Sequence, residues 1–231
     1  MLDLLRTLLY IAAGLALGGC PPSLAPLVST TLAPADRATA LSWVARTVPR
    51  HSTTIRFRFQ YEDAHKHWTG RGTARLAPPD SLRFDYSGPL GLGSGAAVVV
   101  GDSEIWAEPP ENFRSLVPAV RMLWAGLGVV RPPAPDASVS GMESQSQQTW
   151  RFAEGSDTLD YVATDGTARV LDAEWRQAGK IVARSRTELD VQTRPTKSRI
   201  VFPEAAARLE LTVDRVDTAA VIPADVWRSR R

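Results

Sequence analysis

From Thr54 onward the apolar residues of this chain recur at every second position, and that period restricts the chain to strands with one buried and one wet face. Ile55, Phe57, Phe59 and Tyr61 alternate with Thr54, Arg56, Arg58 and Gln60. Trp68, Gly70, Gly72, Ala74 and Leu76 then alternate with Thr69, Arg71, Thr73 and Arg75, and Leu82, Phe84 and Tyr86 with Arg83 and Asp85. The small residues of the second segment predict curvature or a close backbone approach. Ala96–Val100 and Glu104–Ala107 predict a hairpin across Gly101-Asp102-Ser103. Further strands are predicted over Thr149–Ala153, Thr158–Ala163, Ala168–Trp175, Lys180–Leu189, Ser198–Phe202 and Arg208–Val216, with Asp165-Gly166 marking a tight turn. The expected fold is mainly β, with about eleven strands, mostly sequential and antiparallel.

Two helices accompany the strands. Asp36 is a plausible N-cap for a helix carrying Ala38, Leu41, Trp43, Val44 and Val48 before Pro49. Asn112 could cap a second, with Phe113, Leu116, Val117, Val120, Leu123, Trp124 and Leu127 at spacings of three and four. Pro118 must lie early in that helix or kink it. Arg131–Ala137 and Ser144–Gln148 read as one long loop. A meandering sheet with one wet face closes into a barrel or curls over a helix, because its apolar face needs a cover. Two short helices supply little cover, so a hydrophobic cavity is expected. Phe57, Phe59, Phe84, Trp106, Leu116, Val120, Trp124, Trp150 and Phe152 are the expected liners, with ordinary core packing as the competing reading of each.

The chain's single cysteine, Cys20, follows the apolar run Leu8–Leu17 and the small residues Gly18 and Gly19. Arg6 supplies a weakly basic start, and the apolar run is short for a bilayer span, which takes about 20 residues. Residues 1–19 are therefore read as a cleaved bacterial lipoprotein signal peptide, with Cys20 as the lipidated residue. Residues 20–35, rich in proline, read as a tether, and residues 36–231 as the folded domain. The expected location is the bacterial cell envelope, lipid-anchored; Pro21 lacks the aspartate that implies inner-membrane retention in some bacteria, which is compatible with the outer membrane, facing the periplasm, without deciding between the two membranes. One cysteine permits no internal disulfide, so apolar burial must hold the fold. The 27 basic and 25 acidic residues give a net charge of +2. That balance argues against nucleic acid as a partner and leaves room for a weak attraction to anionic lipid.

Motifs for covalent chemistry are weak. Gly91-Leu92-Gly93-Ser94-Gly95-Ala96 has the spacing of a dinucleotide loop, but Ala97–Val100 after it reads as a strand where that site requires a helix N-terminus. His65-Lys66-His67 reads as a solvated turn between two strands rather than a metal site. No nucleophile-elbow spacing accompanies His51, His65 or His67. No enzyme activity, metal or cofactor is expected.

Several short motifs, in their order along the chain, resemble the LolA/LolB family of lipoprotein carriers and receptors, and the outer-membrane receptor LolB in particular. They are Arg71-Gly72, Pro79-Asp80-Ser81-Leu82-Arg83-Phe84, Gly88-Pro89-Leu90-Gly91, Leu123-Trp124-Ala125-Gly126-Leu127 and Ile222-Pro223. The resemblance covers most of Asp36–Trp227; the Pro-rich loop after the second helix departs from it. It implies an unclosed antiparallel barrel with helices as a lid over a hydrophobic cavity that takes lipoprotein acyl chains or phospholipid. A periplasmic LolA-like carrier is then a candidate partner, and Leu90, with Leu92 second, would be the protruding leucine that passes cargo to the membrane. Leu90 lies between Pro89 and Gly91, where no strand face can bury it. A sensor or a structural lipoprotein of the same fold, with no transfer activity, is the alternative.

Overall fold

The computed structural model describes residues 24–89 and 93–229. Cys20, Leu90 and Leu92 lie outside these residues.

The strands are β1 (Ala33–Pro34), β2 (Thr53–Glu62), β3 (His67–Ala77), β4 (Ser81–Ser87), β5 (Gly95–Val100), β6 (Ser103–Glu108), β7 (Ser138–Glu143) and β8 (Gln147–Glu154). They continue with β9 (Asp157–Thr164), β10 (Arg169–Gln177), β11 (Lys180–Leu189), β12 (Pro195–Phe202) and β13 (Ala207–Asp217). The helices are α1 (Arg37–Thr47), α2 (Pro110–Leu116) and α3 (Val120–Gly126). All thirteen strands form one sheet, in the order β1-β7-β8-β9-β10-β11-β12-β13-β2-β3-β4-β5-β6. The pairing is antiparallel throughout, and β13 joins β2 so that the two halves of the chain become one surface.

The count is thirteen rather than eleven because β1 and β7 were not legible as strands. β7 replaces part of the expected long loop: Val139 and Gly141 face Phe152 and Trp150 of β8, while the two-residue β1 extends the same edge. Strands β6 and β7 are consecutive in the chain, yet β6 is one edge of the sheet and β7 lies next to β1 at the other, so the segment between them must cross the concave face. That segment carries α2 and α3. The expected single helix is two, since Pro118 falls between them and its ring and missing N–H stop a continuous helix.

Helix α3 is apolar except for Arg121 and is buried through Met122, Leu123, Trp124, Ala125 and Gly126, as a helix surrounded by protein must be. It packs on β10, β11 and β12. Gly126 permits the approach: a Cβ there would fall 2.8 Å from Ile200 Cδ1. Helix α1 begins at Asp36, whose carboxylate accepts the Thr39 N–H at 2.8 Å. Its Trp43 joins the core beside Trp150 of β8, ring centres 5.9 Å apart.

The segment read as a tether is instead held against the outer face of the sheet from its first described residues. Asp160 and Glu174 point outward from β9 and β10, yet both are fully buried. Arg151 binds Asp160 through two nitrogens at 2.6 and 2.9 Å, Arg176 binds it at 2.7 Å, and Arg184 binds Glu174 at 2.9 Å. Over this ladder the Leu27 N–H donates to Glu174 at 3.0 Å, Arg151 donates to the Val28 carbonyl at 3.1 Å, and Arg184 donates to the Ala25 carbonyl. Val28 and Leu32 bury themselves against Val162. Buried charges require such partners, and here the chain's own backbone supplies part of them. The packed body therefore starts before residue 36.

Candidate functional site

The concave face collects one continuous apolar cluster from nearly every strand and all three helices. Phe57 of β2 and Phe84 of β4 stack with centroids 5.4 Å apart, and Phe152 meets Tyr161 at 5.7 Å across β8 and β9. Phe59, Leu116, Trp124 and Trp150 belong to the same buried cluster, with Val120 half-buried at its margin. Eight of the nine expected liners are thus brought to one face. The ring of Phe57 lies over Gly72, where a Cβ would sit 2.3 Å from two ring carbons; the glycine of β3 is the space the aromatic fills.

Trp106 is the exception, and its assignment to the interior is corrected. The β5–β6 register shifts between Val98 and Val99, so Trp106 pairs with outward-facing Val98 and leaves the inner face. Its ring lies 5.3 Å from the Arg83 guanidinium on the outer face, and its indole N–H donates to the Trp227 carbonyl at 3.1 Å. Arg83 also donates to the Val226 carbonyl, so the C-terminal segment straps the outer face of β4–β6 as the N-terminal one straps β8–β11.

The concavity is occupied by α2, α3 and their flanks. Two kinds of contact hold this plug. One is polar and internal: Thr187 Oγ1 donates to the Ala125 carbonyl at 2.8 Å, and Trp124 Nε1 donates to the Gly101 carbonyl at 2.8 Å. The other is ionic: Arg121 of α3 lies 3.0 Å from Asp102 on the β5–β6 turn and 3.1 Å from Asp157 at the start of β9, and Arg131 adds Asp102 at 3.3 Å. These pairs link the β5–β6 turn to β9 through the plug. Beneath the plug several buried polar atoms have no hydrogen-bond partner among the described residues: Trp150 Nε1, Ser185 Oγ and Ser198 Oγ. Burial holds the Tyr161 hydroxyl well above the usual phenol range. Tyr161 and Trp43 were not among the expected liners, though Leu159-Asp160-Tyr161-Val162-Ala163 carries the same alternation that found the others.

At one end of the concavity Trp68 meets Phe59 and Tyr86 edge-on, at 5.4 and 5.5 Å between centroids. The loop joining β4 to β5 starts from this corner: Gly93 approaches so near that a Cβ would fall 3.0 Å from Trp68 Cζ2. Pro89 and Gly93, the described flanks of Leu90 and Leu92, are both exposed. Burial pushes the Tyr86 hydroxyl up to about 12, with Glu111 adding to the effect. The histidines take no part in this site. His65 and His67 are exposed at the β2–β3 turn, with His67 Nδ1 3.9 Å from Glu62.

An antiparallel sheet curled but not closed around a helical plug is the LolA-like fold, and this chain has it. A LolA superfamily protein from Nitrosomonas europaea aligns with TM-score 0.56 at 12% identity, over 84% of this chain and 99% of that one. A domain from Vibrio parahaemolyticus, described as outer membrane lipoprotein-sorting, aligns with TM-score 0.52 at 8% identity, over 82% of this chain and 94% of that one. A DUF1329 family protein from Desulfovibrio piger gives TM-score 0.52 at 9% identity, over 84% and 98%. No protein-family model and no curated protein matches the sequence, so the likeness is one of fold.

Proposed function

We propose that this chain is a lipid-anchored protein of the bacterial envelope that holds the acyl chains of lipoproteins, or of phospholipid, in its concave face and passes them to the outer membrane. Cys20 carries the anchor, and a LolA-like periplasmic carrier is the donor. The observation that carries this reading is the plug: an apolar helix crosses an aromatic concavity without being part of the sheet. Displacing it would expose a continuous apolar surface of the kind acyl chains bury. Exchange of helix for acyl chain needs no covalent step, only a small difference in apolar contact between two arrangements. Leu90 and Leu92 would then enter the bilayer beside the mouth during delivery.

The completeness with which α3 is buried favours a second reading, in which the plug is permanent core and the protein is structural or a sensor. One experiment separates them. The full chain is reconstituted in vesicles and presented with a diacylated lipopeptide on a soluble carrier. Transfer to the bilayer that is lost in Leu90→Glu while lipopeptide binding persists supports the transfer reading. Absence of lipopeptide binding by the unaltered chain contradicts it. Replacement of Cys20 by serine should abolish palmitate labelling; retained label would overturn the anchor.

A further inference from the structure

The outer face of β13, β2 and β3 carries a charge arrangement that the interior does not explain. Arg58 of β2 stands directly opposite Arg71 of β3, and Arg56 stands directly opposite Arg215 of β13. Like charges in that position destabilise a sheet. Two other facing pairs of arginines in the sheet are compensated. Arg75 and Arg83, also opposite, share Asp85, while Arg186 and Arg199 each have their own acid, Asp172 and Glu210. On the β13–β2–β3 face the one ion pair to these four arginines is the exposed contact of Arg58 with Asp214 at 3.0 Å; among the described residues Arg56, Arg71 and Arg215 have no carboxylate in salt-bridge reach.

A cleft of about 660 Å³ opens over the Arg58–Arg71 row. Gln60, Thr69, Thr212 and Ser87 line it with hydrogen-bonding groups. Glu210 also faces it, but Arg199 and Arg208 lie 3.6 and 3.9 Å from that carboxylate and offset its charge. The far wall is Gly88 and Pro89, the root of the loop that carries Leu90 and Leu92, because Ser87 is the β4 partner of Arg71.

We infer that this cleft binds the phosphate of an anionic phospholipid headgroup. Two guanidinium groups set side by side match the oxygens of a phosphate diester, and the hydroxyl and amide groups around them match the glycerol beyond it. A bound anion removes the repulsion within the Arg58–Arg71 pair, so the arrangement that costs stability in the free protein favours the complex. The cleft sits at the loop root, and so a bound headgroup fixes the loop at the level of the bilayer surface. In that placement alone the inference rests on the transfer reading.

The test titrates the full chain, in non-ionic detergent, with dibutanoyl phosphatidylglycerol, whose chains are too short to need the concavity. Dibutanoyl phosphatidylcholine and inorganic phosphate are the parallel titrants. Phosphatidylglycerol is expected to bind most tightly, to weaken with added salt, and to bind about tenfold less tightly to Arg71→Gln and to Arg58→Gln. Both side chains are exposed, and thermal melting without lipid should show each variant folded and no less stable than the unaltered protein. Equal affinity for phosphatidylcholine, or unaltered affinity in both variants, overturns the site. Inorganic phosphate binding as tightly as the lipid overturns the assignment to a headgroup. A failure of the cavity reading is distinguishable: a long-chain lipopeptide would not bind, while dibutanoyl phosphatidylglycerol still would.

Discussion

Thr187 of β11 donates its hydroxyl to the carbonyl of Ala125 at 2.8 Å, in the buried seam between the sheet and α3. It ties the helix to the sheet beneath it, while the Trp124 indole N–H and the Arg121 ion pairs hold the helix to the β5–β6 turn and to β9. Thr187→Val keeps the shape and removes one of the donors to that carbonyl, the Gly128 N–H at 3.0 Å remaining, at a cost of about 0.5–1.5 kcal/mol. A lower urea midpoint is expected. If α3 is displaced by acyl chains, the same variant binds a lipopeptide faster than the unaltered protein, which stopped-flow fluorescence would read.

The buried ladder on the outer face makes a larger prediction. Asp160 is fully buried and accepts from both Arg151 and Arg176, so Asp160→Asn leaves Arg151 without its charge partner and Arg176 with Glu174 alone, at 3.4 Å. Breaking one side of a buried ion pair costs about 3–5 kcal/mol. Because Arg151 also holds the Val28 carbonyl, hydrogen exchange of the amides around Val28 should accelerate in the variant beyond what the global loss of stability explains.

Gly72→Ala tests how tightly the aromatic layer is packed. The new methyl group would meet the Phe57 ring at 2.3 Å, and that ring is backed by Phe84, so it cannot simply turn away. Overpacking of this kind costs about 1–3 kcal/mol. The paired change Gly72→Ala with Phe57→Leu should recover part of the loss, and a thermal-melting cycle over the four proteins measures the coupling.

Alkaline pH supplies a fourth test. A free tyrosine ionises near 10, whereas burial and Glu111 push Tyr86 up to about 12 in the folded protein. Between those values the unfolded chain has released a proton that the folded chain keeps, so stability present below pH 10 falls as pH rises toward 12. Tyr86→Phe should flatten that slope in urea titrations at pH 7 and pH 11. At pH 7 it should cost little, because the Tyr86 hydroxyl is buried with no hydrogen-bond partner among the described residues.

Much of this architecture was legible because the inner face is written in period two, from Ile55 and Phe57 through Leu209 and Leu211. What escaped did so for physical reasons. In β7, Gly141 and Ser140 carry no apolar signal, and Met142 is half exposed, so the edge strand shows only through its pairing with β8. Trp106 faces outward because of the bulge beside Val98, which the residues of the predicted hairpin do not signal. The N-terminal strap looked like a tether because its partners, Glu174, Arg151 and Arg184, lie more than a hundred residues away in the chain. The concave site was legible as a set of aromatics, but not the extent to which α3 would fill it. Periodicity reports which face is buried and not against what.

The central claim is that acyl chains enter the space beneath α3. A lipopeptide with brominated acyl chains quenches tryptophan only on close approach, and the chain places Trp43, Trp124 and Trp150 inside and Trp106 outside. The measurement is made on the full chain carrying Trp106→Phe and Trp227→Phe, so that the outer-face indoles are silent. Saturable quenching that is absent with an unbrominated lipopeptide is the predicted result. A fluorescence unchanged at saturating lipopeptide would contradict the account and leave α3 as permanent core.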